Sequence, residues 1–426
     1  MSKKANVETV RVCMIGPKGC GKTSILSVML NDVQQFIEAL VKNRHNFGAK
    51  ATLPSFAAKS KRAQERMTGC YETLKSIADL AKASKGHPID LTAASLRGDA
   101  KASDYTMKFS IGKSQVALEF WDFPGGFFSR REEDFKATDA QRKEWEELLV
   151  SADVLLVAID APAQLSGVDF GWGFDSRYYD RITDIIKRSV KRSKTSVVIV
   201  PVKCEHLALE SECDTSKSRK KIVQRFSVDG CEELYLRIRQ RLGELVRFLT
   251  DDKNARSVDA YFIPMITVGG IKSNGQRSEN GRTVEFVPVV PEFYKLTPFA
   301  PKNCEKLLAL CLLQVYAPLV RYWNVNRSLW EKGWRATAKR SGRVLSWLGR
   351  KLRVSRVKKL SEKVDRIADS TPFEAFFSEM VKCFRMDEML KTSIKDGAFS
   401  GLSKDVSSEC FDGCACLNEV VWPEIK

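Results

Sequence analysis

The sequence predicts an α/β fold in which helices cover both faces of a mostly parallel sheet. Three apolar runs, 153–160, 195–202 and 260–268, have the composition of strands that are buried on both faces. Helical patterns at about 178–191 and 231–249 separate these runs, and the second is that of an amphipathic helix. Strands that alternate with helices in this way are typical of a parallel sheet.

The earlier part of the chain extends the same pattern. A β-rich run at 9–15 is followed by a glycine-rich turn and by a helical pattern from 22 to about 40. Runs 106–111 and 116–121 have the composition of two strands joined by a short turn, which predicts a hairpin. A polar helix is expected at about 137–151.

Composition and charge exclude several classes of protein. The chain has 426 residues and a formal net charge of +17, and its 43% apolar and 29% charged residues suit an ordinary buried core. That balance argues against wholesale disorder, collagen and disulfide scaffolds. No apolar run reaches the roughly 18 residues of a membrane span, and the N-terminus lacks the apolar stretch of a secretory signal. We therefore expect a cytoplasmic protein.

A phosphate-binding loop is the most specific motif in the chain. The glycine-rich turn reads Gly16-Pro17-Lys18-Gly19-Cys20-Gly21-Lys22-Thr23, which fits G-x-x-x-x-G-K-[ST] between a strand and a helix. Its glycines let main-chain N–H groups face phosphate oxygens, and the helix start adds its dipole. Lys22 would reach the β and γ oxygens, and Thr23 would bind Mg²⁺. With Ser24 at its end, the motif predicts a nucleotide site; a chance glycine-rich turn is the alternative.

A second motif, Asp122-Phe123-Pro124-Gly125-Gly126, ends the second strand of the expected hairpin. A carboxylate at Asp122 would hold Mg²⁺, usually through water, and the Gly125 amide would sense a γ-phosphate. A turn that merely caps the hairpin is the alternative. The position of the motif, about a hundred residues after the phosphate-binding loop and before the next helix, favours the nucleotide site.

Taken in order, GPKGCGKT, DFPGG and the strand ending in VPVKCE resemble a small-GTPase-type P-loop domain of the translation-factor-related (TRAFAC) class, most of all the prokaryotic double-GTPase family. The resemblance covers roughly residues 8–320, with a long insertion at about 42–102. It implies a three-layer P-loop NTPase sandwich that binds GTP and GDP with Mg²⁺. Lys22 is then the phosphate lysine, Thr23 a metal ligand, and Asp122 with Gly125 part of the second switch.

The resemblance also places Lys203 and Glu205 where the family has an Asn-Lys-x-Asp guanine reader. Glu205 keeps the carboxylate that accepts hydrogen bonds from guanine, but it is one methylene longer than Asp, and Val202 replaces the Asn. Residues 267–269 lie where a backbone contact to the base would be made. GTP is the expected nucleotide, base choice stays open between guanine and adenine, and a solvated loop is the alternative for residues 203–205.

Two departures from the family pattern bear on hydrolysis. Gly126 stands where the family often has a water-positioning Gln, so intrinsic hydrolysis is expected to be slow. Arg130 or Arg131 could neutralise developing charge as an arginine finger does, or could form a solvated basic pair. Thr92 is the candidate for the metal-binding threonine of the first switch.

The balance of charge changes sharply towards the C-terminus. Residues 321–366 hold 15 Lys and Arg against 3 acidic residues, whereas 367–426 hold 6 basic and 11 acidic residues. The change predicts a P-loop domain at 1–320 and a basic helical region with an acidic end at 321–426. The basic stretch favours a helical subdomain or protein partner, then an anionic membrane surface bound peripherally, then nucleic acid.

Together these observations predict a Mg²⁺-dependent GTPase that acts as a switch on a partner protein, with a nucleotide-dependent oligomer as one form of partnership. A nucleotide-gated scaffold with negligible hydrolysis and a P-loop ATPase are the alternatives. Cys410, Cys414 and Cys416 could contribute to a zinc site, but their spacing is not that of a known finger, which favours reduced thiols.

Overall fold

The fold is taken from a computed structural model of the chain. It describes residues 7–17, 19–31, 51–58, 61–83, 103–111, 114–125, 127, 138–166, 176–192, 195–207, 213–214, 221–222, 226–251, 253–254, 257–268, 271–277, 284–288, 299, 301–314, 386–395, 398–400 and 412–418.

The strands in chain order are β1 (Val7–Ile15), β2 (Ala51–Ala58), β3 (Ser103–Ile111), β4 (Ser114–Asp122), β5 (Val154–Asp160), β6 (Thr195–Val202), β7 (Cys213–Asp214), β8 (Lys221–Ile222), β9 (Val258–Phe262), β10 (Ile271–Arg277), β11 (Val284–Pro288), β12 (Ser393–Lys395), β13 (Ala398–Ser400) and β14 (Ala415–Cys416). The helices are α1 (Lys22–Asn31), α2 (Lys61–Ala83), α3 (Asp139–Val150), α4 (Ala161–Ser166), α5 (Ser176–Arg192), α6 (Val228–Arg241), α7 (Gly243–Thr250), α8 (residues 304–314) and α9 (Met386–Lys391). A 3₁₀ turn covers Cys204–Leu207.

Ten of these strands form one mixed sheet in the order β13-β12-β14-β9-β6-β5-β1-β4-β3-β2. Its central strands β9, β6, β5, β1 and β4 run parallel. On one side β3 and β2 continue the sheet antiparallel, and on the other side β14 runs antiparallel to β9. The predicted α/β class with a mostly parallel sheet is therefore confirmed.

Helices cover both faces of this sheet. Side chains of β1 alternate between the faces, as the period of a strand requires. Val10, Val12 and Met14 pack in one core with α1, α2 and α8. Cys13 and Ile15 pack in the other core with α3, α5, α6 and α7. The arrangement is compatible with a three-layer α/β fold.

Two local predictions from the sequence are confirmed. The hairpin is formed by β3 and β4, which pair from Ser103 opposite Asp122 to Ile111 opposite Ser114. The polar helix is α3, and it begins with a capping box. The Thr138 hydroxyl accepts a hydrogen bond from the amide N of Gln141, whose side chain accepts one from the Thr138 amide.

The predicted helix at 231–249 is corrected by the structure. It is two helices, α6 and α7, that meet at Leu242, where φ is −109° and ψ is 37°. Gly243 begins the second helix, and glycine weakens a helix because it loses the most backbone freedom on ordering. The apolar pattern continues through the break into buried Leu245 and Leu249, so periodicity alone does not reveal it.

Two strands differ from the sequence prediction. The predicted strand at 260–268 is shorter in the structure, because β9 ends at Phe262. Beyond that point the chain still forms hydrogen bonds with β6, and the amide of Met265 donates to the carbonyl of Pro201. Within the expected insertion, β2 is an edge strand that the pattern did not predict. It contains Pro54, which lies where the pairing with β3 shifts register between Thr52 and Ser55, and proline within sheets is confined to edge strands and bulges.

The far C-terminal residues belong to the same sheet as the N-terminal ones. β14 pairs with β9, and Asn418 brackets that strand: its Oδ1 accepts from the Ala260 amide, and its Nδ2 donates to the Val258 carbonyl. Lys306 of α8 forms a buried ion pair with Asp412. The sheet therefore does not end at residue 320, whereas 321–385, including the basic stretch, lie outside the described residues.

The C-terminal cysteines that are described are buried thiols. Burial raises the pKa of both Cys414 and Cys416 to about 12, and Cys410 lies outside the described residues. Within the described part of the chain, no group of three or more His, Cys, Asp or Glu side chains is arranged to hold a metal ion. Close by, burial and the charge of Lys306 lower the pKa of Lys302 to about 8.

Candidate functional site

The predicted phosphate-binding loop connects β1 to α1 at the carboxyl end of the central parallel strands. β1 lies between β4 and β5, and the chain visits β4 before it crosses to β5 on the other side. Such a reversal leaves a crevice outside the strand ends, where ligands bind in open α/β sheets. The loop that the sequence singled out therefore lies at the position where this fold presents a ligand site.

Glycine is required at two points of the loop for different reasons. At Gly16 the backbone passes so close to β5 that a Cβ would lie 2.6 Å from the carbonyl oxygen of Ala158 and 2.9 Å from Sγ of Cys20. At Gly21 φ is +103°, which a side chain rarely tolerates. A tight loop of this kind turns its main-chain N–H groups together, as an anion-binding nest requires.

Lys22 begins α1 and turns its ammonium group back into the loop. Nζ donates to the carbonyl oxygens of Gly16 at 2.8 Å and of Pro17 at 3.0 Å, and the side chain is only 7% exposed. A buried ammonium is costly unless its donors are satisfied. The loop carbonyls satisfy it here, and phosphate oxygens would satisfy it better because they are charged.

Thr23 and Asp122, which are distant in sequence, are in direct contact. The Thr23 hydroxyl donates to Oδ2 of Asp122 at 2.8 Å, and the aspartate is buried at the end of β4. The parallel pairing of β1 with β4 brings the carboxyl end of β4 beside the loop. A hydroxyl and a carboxylate are oxygen ligands of the kind that Mg²⁺ takes, so these two residues fit the ion that the motif implies.

The turn after Asp122 is fixed by its own aromatic residues. The Phe127 amide donates to the carbonyl of Pro124 at 3.0 Å, which closes the turn around Gly125. Phe127 also packs against Trp145 of α3, with ring centroids 5.4 Å apart. The Gly125 amide is therefore carried by a short turn anchored in the core.

Arg66 of α2, which the sequence does not predict as a site residue, contacts the same pair of oxygens. Its Nη2 donates to Oγ1 of Thr23 at 2.9 Å and lies 3.9 Å from Oδ2 of Asp122. The residue belongs to the expected insertion and has no motif around it. The packing of α2 in the apolar core that it shares with α1 brings it to the site.

Lys203 connects three loops. Its backbone has a φ of +62°, and its Nζ donates to the Gly19 carbonyl at 2.8 Å and to Oδ2 of Asp160 at 2.6 Å. Asp160 is a second site residue that the sequence does not predict. In sequence it is an ordinary end of an apolar strand, so no local pattern indicates it.

Glu205 is buried and is held by the segment that follows β9. Its Oε1 accepts hydrogen bonds from the Thr267 amide and hydroxyl, each at 3.0 Å, and from the Val268 amide at 3.1 Å. The second carboxylate oxygen, Oε2, accepts no hydrogen bond from any described residue. The solvated-loop alternative for residues 203–205 therefore does not hold for Glu205, which is 2% exposed.

The thiol in the loop is not a reactive group. Cys20 is 1% exposed, and burial raises its pKa above the ordinary value, although the charges of Lys22 and Lys203 act in the opposite direction. A nucleophilic cysteine needs a lowered pKa and access to solvent. Cys20 instead packs beneath the loop, against the position of Gly16.

The structure thus brings together most of the residues that the sequence proposed. Lys22, Thr23 and Asp122 meet at one end of the sheet, and Lys203 joins them through Gly19. Gly125, Glu205 and Ser24 are described as well, whereas five further proposed residues lie outside the described part of the chain: Lys18, Thr92, Gly126, Arg130 and Arg131.

The sequence matches no protein-family model, and a search of curated proteins finds no match either. Among the helices that the structure describes, none is long and apolar enough to cross a membrane. The residues and their geometry are therefore the evidence for a function.

Proposed function

We propose that the chain is a P-loop nucleotide switch of the TRAFAC type, most similar to double-GTPases, that binds and hydrolyses GTP with Mg²⁺. The contact between the Thr23 hydroxyl and Asp122, beside Lys22 and a glycine-rich loop, is the observation that supports it best. A phosphate-binding loop, a lysine and a hydroxyl–carboxylate pair are the parts that a metal-bound triphosphate needs. All four stand at the carboxyl ends of β1 and β4.

The chain's own residues would divide the work as follows. Loop amides would bind the phosphate oxygens, and Lys22 would exchange its two loop carbonyls for the β and γ oxygens. Thr23 and Asp122 would hold Mg²⁺, which supplies charge neutralisation for the phosphates. The Gly125 amide would contact the γ-phosphate and so link its presence to the turn at Phe127.

The choice of guanine as the base is supported by Lys203 and Glu205. Lys203 ties its loop to the phosphate-binding loop through Gly19, so the two parts of the site are positioned together. Fixed by Thr267 and Val268, Glu205 retains Oε2 as an acceptor. A carboxylate oxygen can accept two hydrogen bonds, which would suit the N1 and N2 donors of guanine. Loss of GTP preference in Glu205→Gln, with Mg²⁺-dependent binding retained, is the expected result.

A nucleotide-gated scaffold with negligible hydrolysis is the second candidate. It is favoured by Gly126, because the position after D-x-x-G then carries no side chain to orient water. Single-turnover hydrolysis of radiolabelled GTP, with and without a cell extract, separates the candidates. Hydrolysis in either condition supports the switch, and binding without hydrolysis in both supports the scaffold. Equal affinity for ATP and GTP would contradict the guanine assignment.

The partner surface is proposed from charge alone. Residues 321–366 carry the excess of basic residues that suits an acidic protein partner or an anionic membrane surface. Deleting 321–426 would not test this, because the deletion removes β12, β13 and β14 from the sheet. Substitutions that neutralise charge within 321–366 are the appropriate variants.

A further inference from the structure

The inserted helix α2 is firmly attached to the nucleotide site. Its buried face, which includes Met67, Cys70 and Leu74, belongs to the same apolar core as Ile25 and Met29 of α1. The position of its polar residues relative to the phosphate-binding loop is therefore set by packing.

Arg66 projects from this helix onto the two residues that would hold the metal ion. The hydrogen bonds form a chain in which Nη2 of Arg66 donates to Oγ1 of Thr23, which in turn donates to Oδ2 of Asp122. The guanidinium also lies 3.9 Å from that carboxylate oxygen, and its side chain is 19% exposed. A permanent positive charge thus already neutralises the aspartate.

A guanidinium and a divalent cation compete for these oxygens, because both are positively charged and both take oxygen lone pairs. Mg²⁺ demands oxygen ligands at about 2.0–2.1 Å in near-ideal octahedral geometry. Arg66 has only donors to offer and carries the same sign of charge as the ion. Since α2 is packed, the side chain rather than the helix has to leave the pair.

We propose that Arg66 is an internal competitor of Mg²⁺. Its guanidinium occupies the Thr23–Asp122 pair until a metal–nucleotide complex displaces it. This inference rests on the proposed function. Its consequence is that the inserted helix makes nucleotide binding more dependent on Mg²⁺ concentration than the metal ligands alone would.

The test is a Mg²⁺ titration of the binding of a fluorescent, non-hydrolysable GTP analogue to the full chain. Arg66→Gln should lower the Mg²⁺ concentration for half-maximal binding by about tenfold, which corresponds to about 1.4 kcal/mol. Arg66→Met, which keeps the aliphatic stem without the charge, should shift the midpoint in the same direction. Lys61→Gln removes a 92% exposed charge from the same helix and should leave the midpoint unchanged.

The other results of this titration would overturn either the competition by Arg66 alone or the proposed function as well. An unchanged midpoint in folded Arg66→Gln and Arg66→Met, with the wild type binding normally, overturns the competition and leaves the proposed function standing. Weaker binding by these variants at saturating Mg²⁺ also overturns it, because Arg66 would then be a phosphate ligand. A wild type that binds no triphosphate at any Mg²⁺ concentration overturns both.

Discussion

Adding one methyl group at Gly16 should damage the site far more than the fold. In Gly16→Ala the new Cβ would lie 2.6 Å from the Ala158 carbonyl oxygen, whereas ordinary contact begins at 3.4 Å. The acceptor belongs to the backbone of a central strand, so the loop must retreat by about 0.8 Å. Overpacking of this kind costs about 1–3 kcal/mol of stability.

The effect on binding should exceed that loss. A retreat of this size would misalign the loop amides, and each charge-assisted hydrogen bond that is lost costs about 1.5–3 kcal/mol, or at least about tenfold in affinity. Chemical denaturation measures the first effect, and calorimetric titration with GTP and Mg²⁺ measures the second. The variant should remain folded and bind at least about tenfold more weakly.

Gly69 provides a matched control on helix α2. A Cβ there would meet nothing within 4 Å, so Gly69→Ala should raise the free energy of unfolding by about 0.5–1 kcal/mol and leave nucleotide affinity unchanged. The reasoning is refuted if Gly16→Ala is as stable as the wild type and binds nucleotide equally well. An equal decrease in the free energy of unfolding for Gly16→Ala and Gly69→Ala would refute it as well.

Three further predictions concern other parts of the chain. In a double-mutant cycle of Lys203→Met and Asp160→Asn, nucleotide affinity should show a coupling of about 1 kcal/mol, since their ion pair fixes the loop at Gly19; additive effects would contradict it. Because the folded pKa of Lys302 is about 8 and the unfolded value about 10.4, its burial is destabilising at pH 7. Lys302→Met should therefore be more stable than the wild type by up to about 3 kcal/mol at pH 7, with the gap closing between pH 8 and 10; a pH-independent gap would be inconsistent. Replacing the basic residues within 353–363 by Gln should weaken binding to anionic liposomes by about 1 kcal/mol per residue without changing nucleotide affinity, and unaffected liposome binding, or none in the wild type, would end the membrane alternative.

The sequence can indicate the parts of the site whose functional residues are consecutive in the chain. Residues 16–23 carry the loop's requirements in a single run, and the strand before and helix after them are strongly patterned. Asp122 could be proposed because a turn motif surrounds it. Its contact with Thr23 depends on β1 pairing in parallel with β4, which the two patterns make plausible but do not specify.

Arg66 and Asp160 could not be found in the same way. Arg66 reaches Thr23 through helix packing across 43 positions of sequence, and an arginine on an amphipathic helix has the pattern of any solvated residue. In sequence Asp160 is an ordinary strand end, and its ion pair with Lys203 exists only in the folded chain. Both contacts are tertiary and leave no local period or spacing.

The C-terminal strands show the same limit for the fold. β12 and β13 have three residues each and β14 has two, too few for a period of two to be visible. The change of charge near residue 320 predicted a separate region, but strand pairing with β9 depends on backbone hydrogen bonds, which composition does not report. The middle of that region, 321–385, stays a prediction from sequence.

The central claim is that the loop at residues 16–23 encloses a metal-bound triphosphate, and calorimetry on the purified full chain tests it directly. Titration with GTP should release or absorb heat with Mg²⁺ present and bind much more weakly with EDTA. Lys22→Ala, which removes the ammonium held by the Gly16 and Pro17 carbonyls, should lose at least about tenfold in affinity while remaining folded. The absence of binding for every purine triphosphate with Mg²⁺, or identical isotherms for the wild type and Lys22→Ala, would contradict the account.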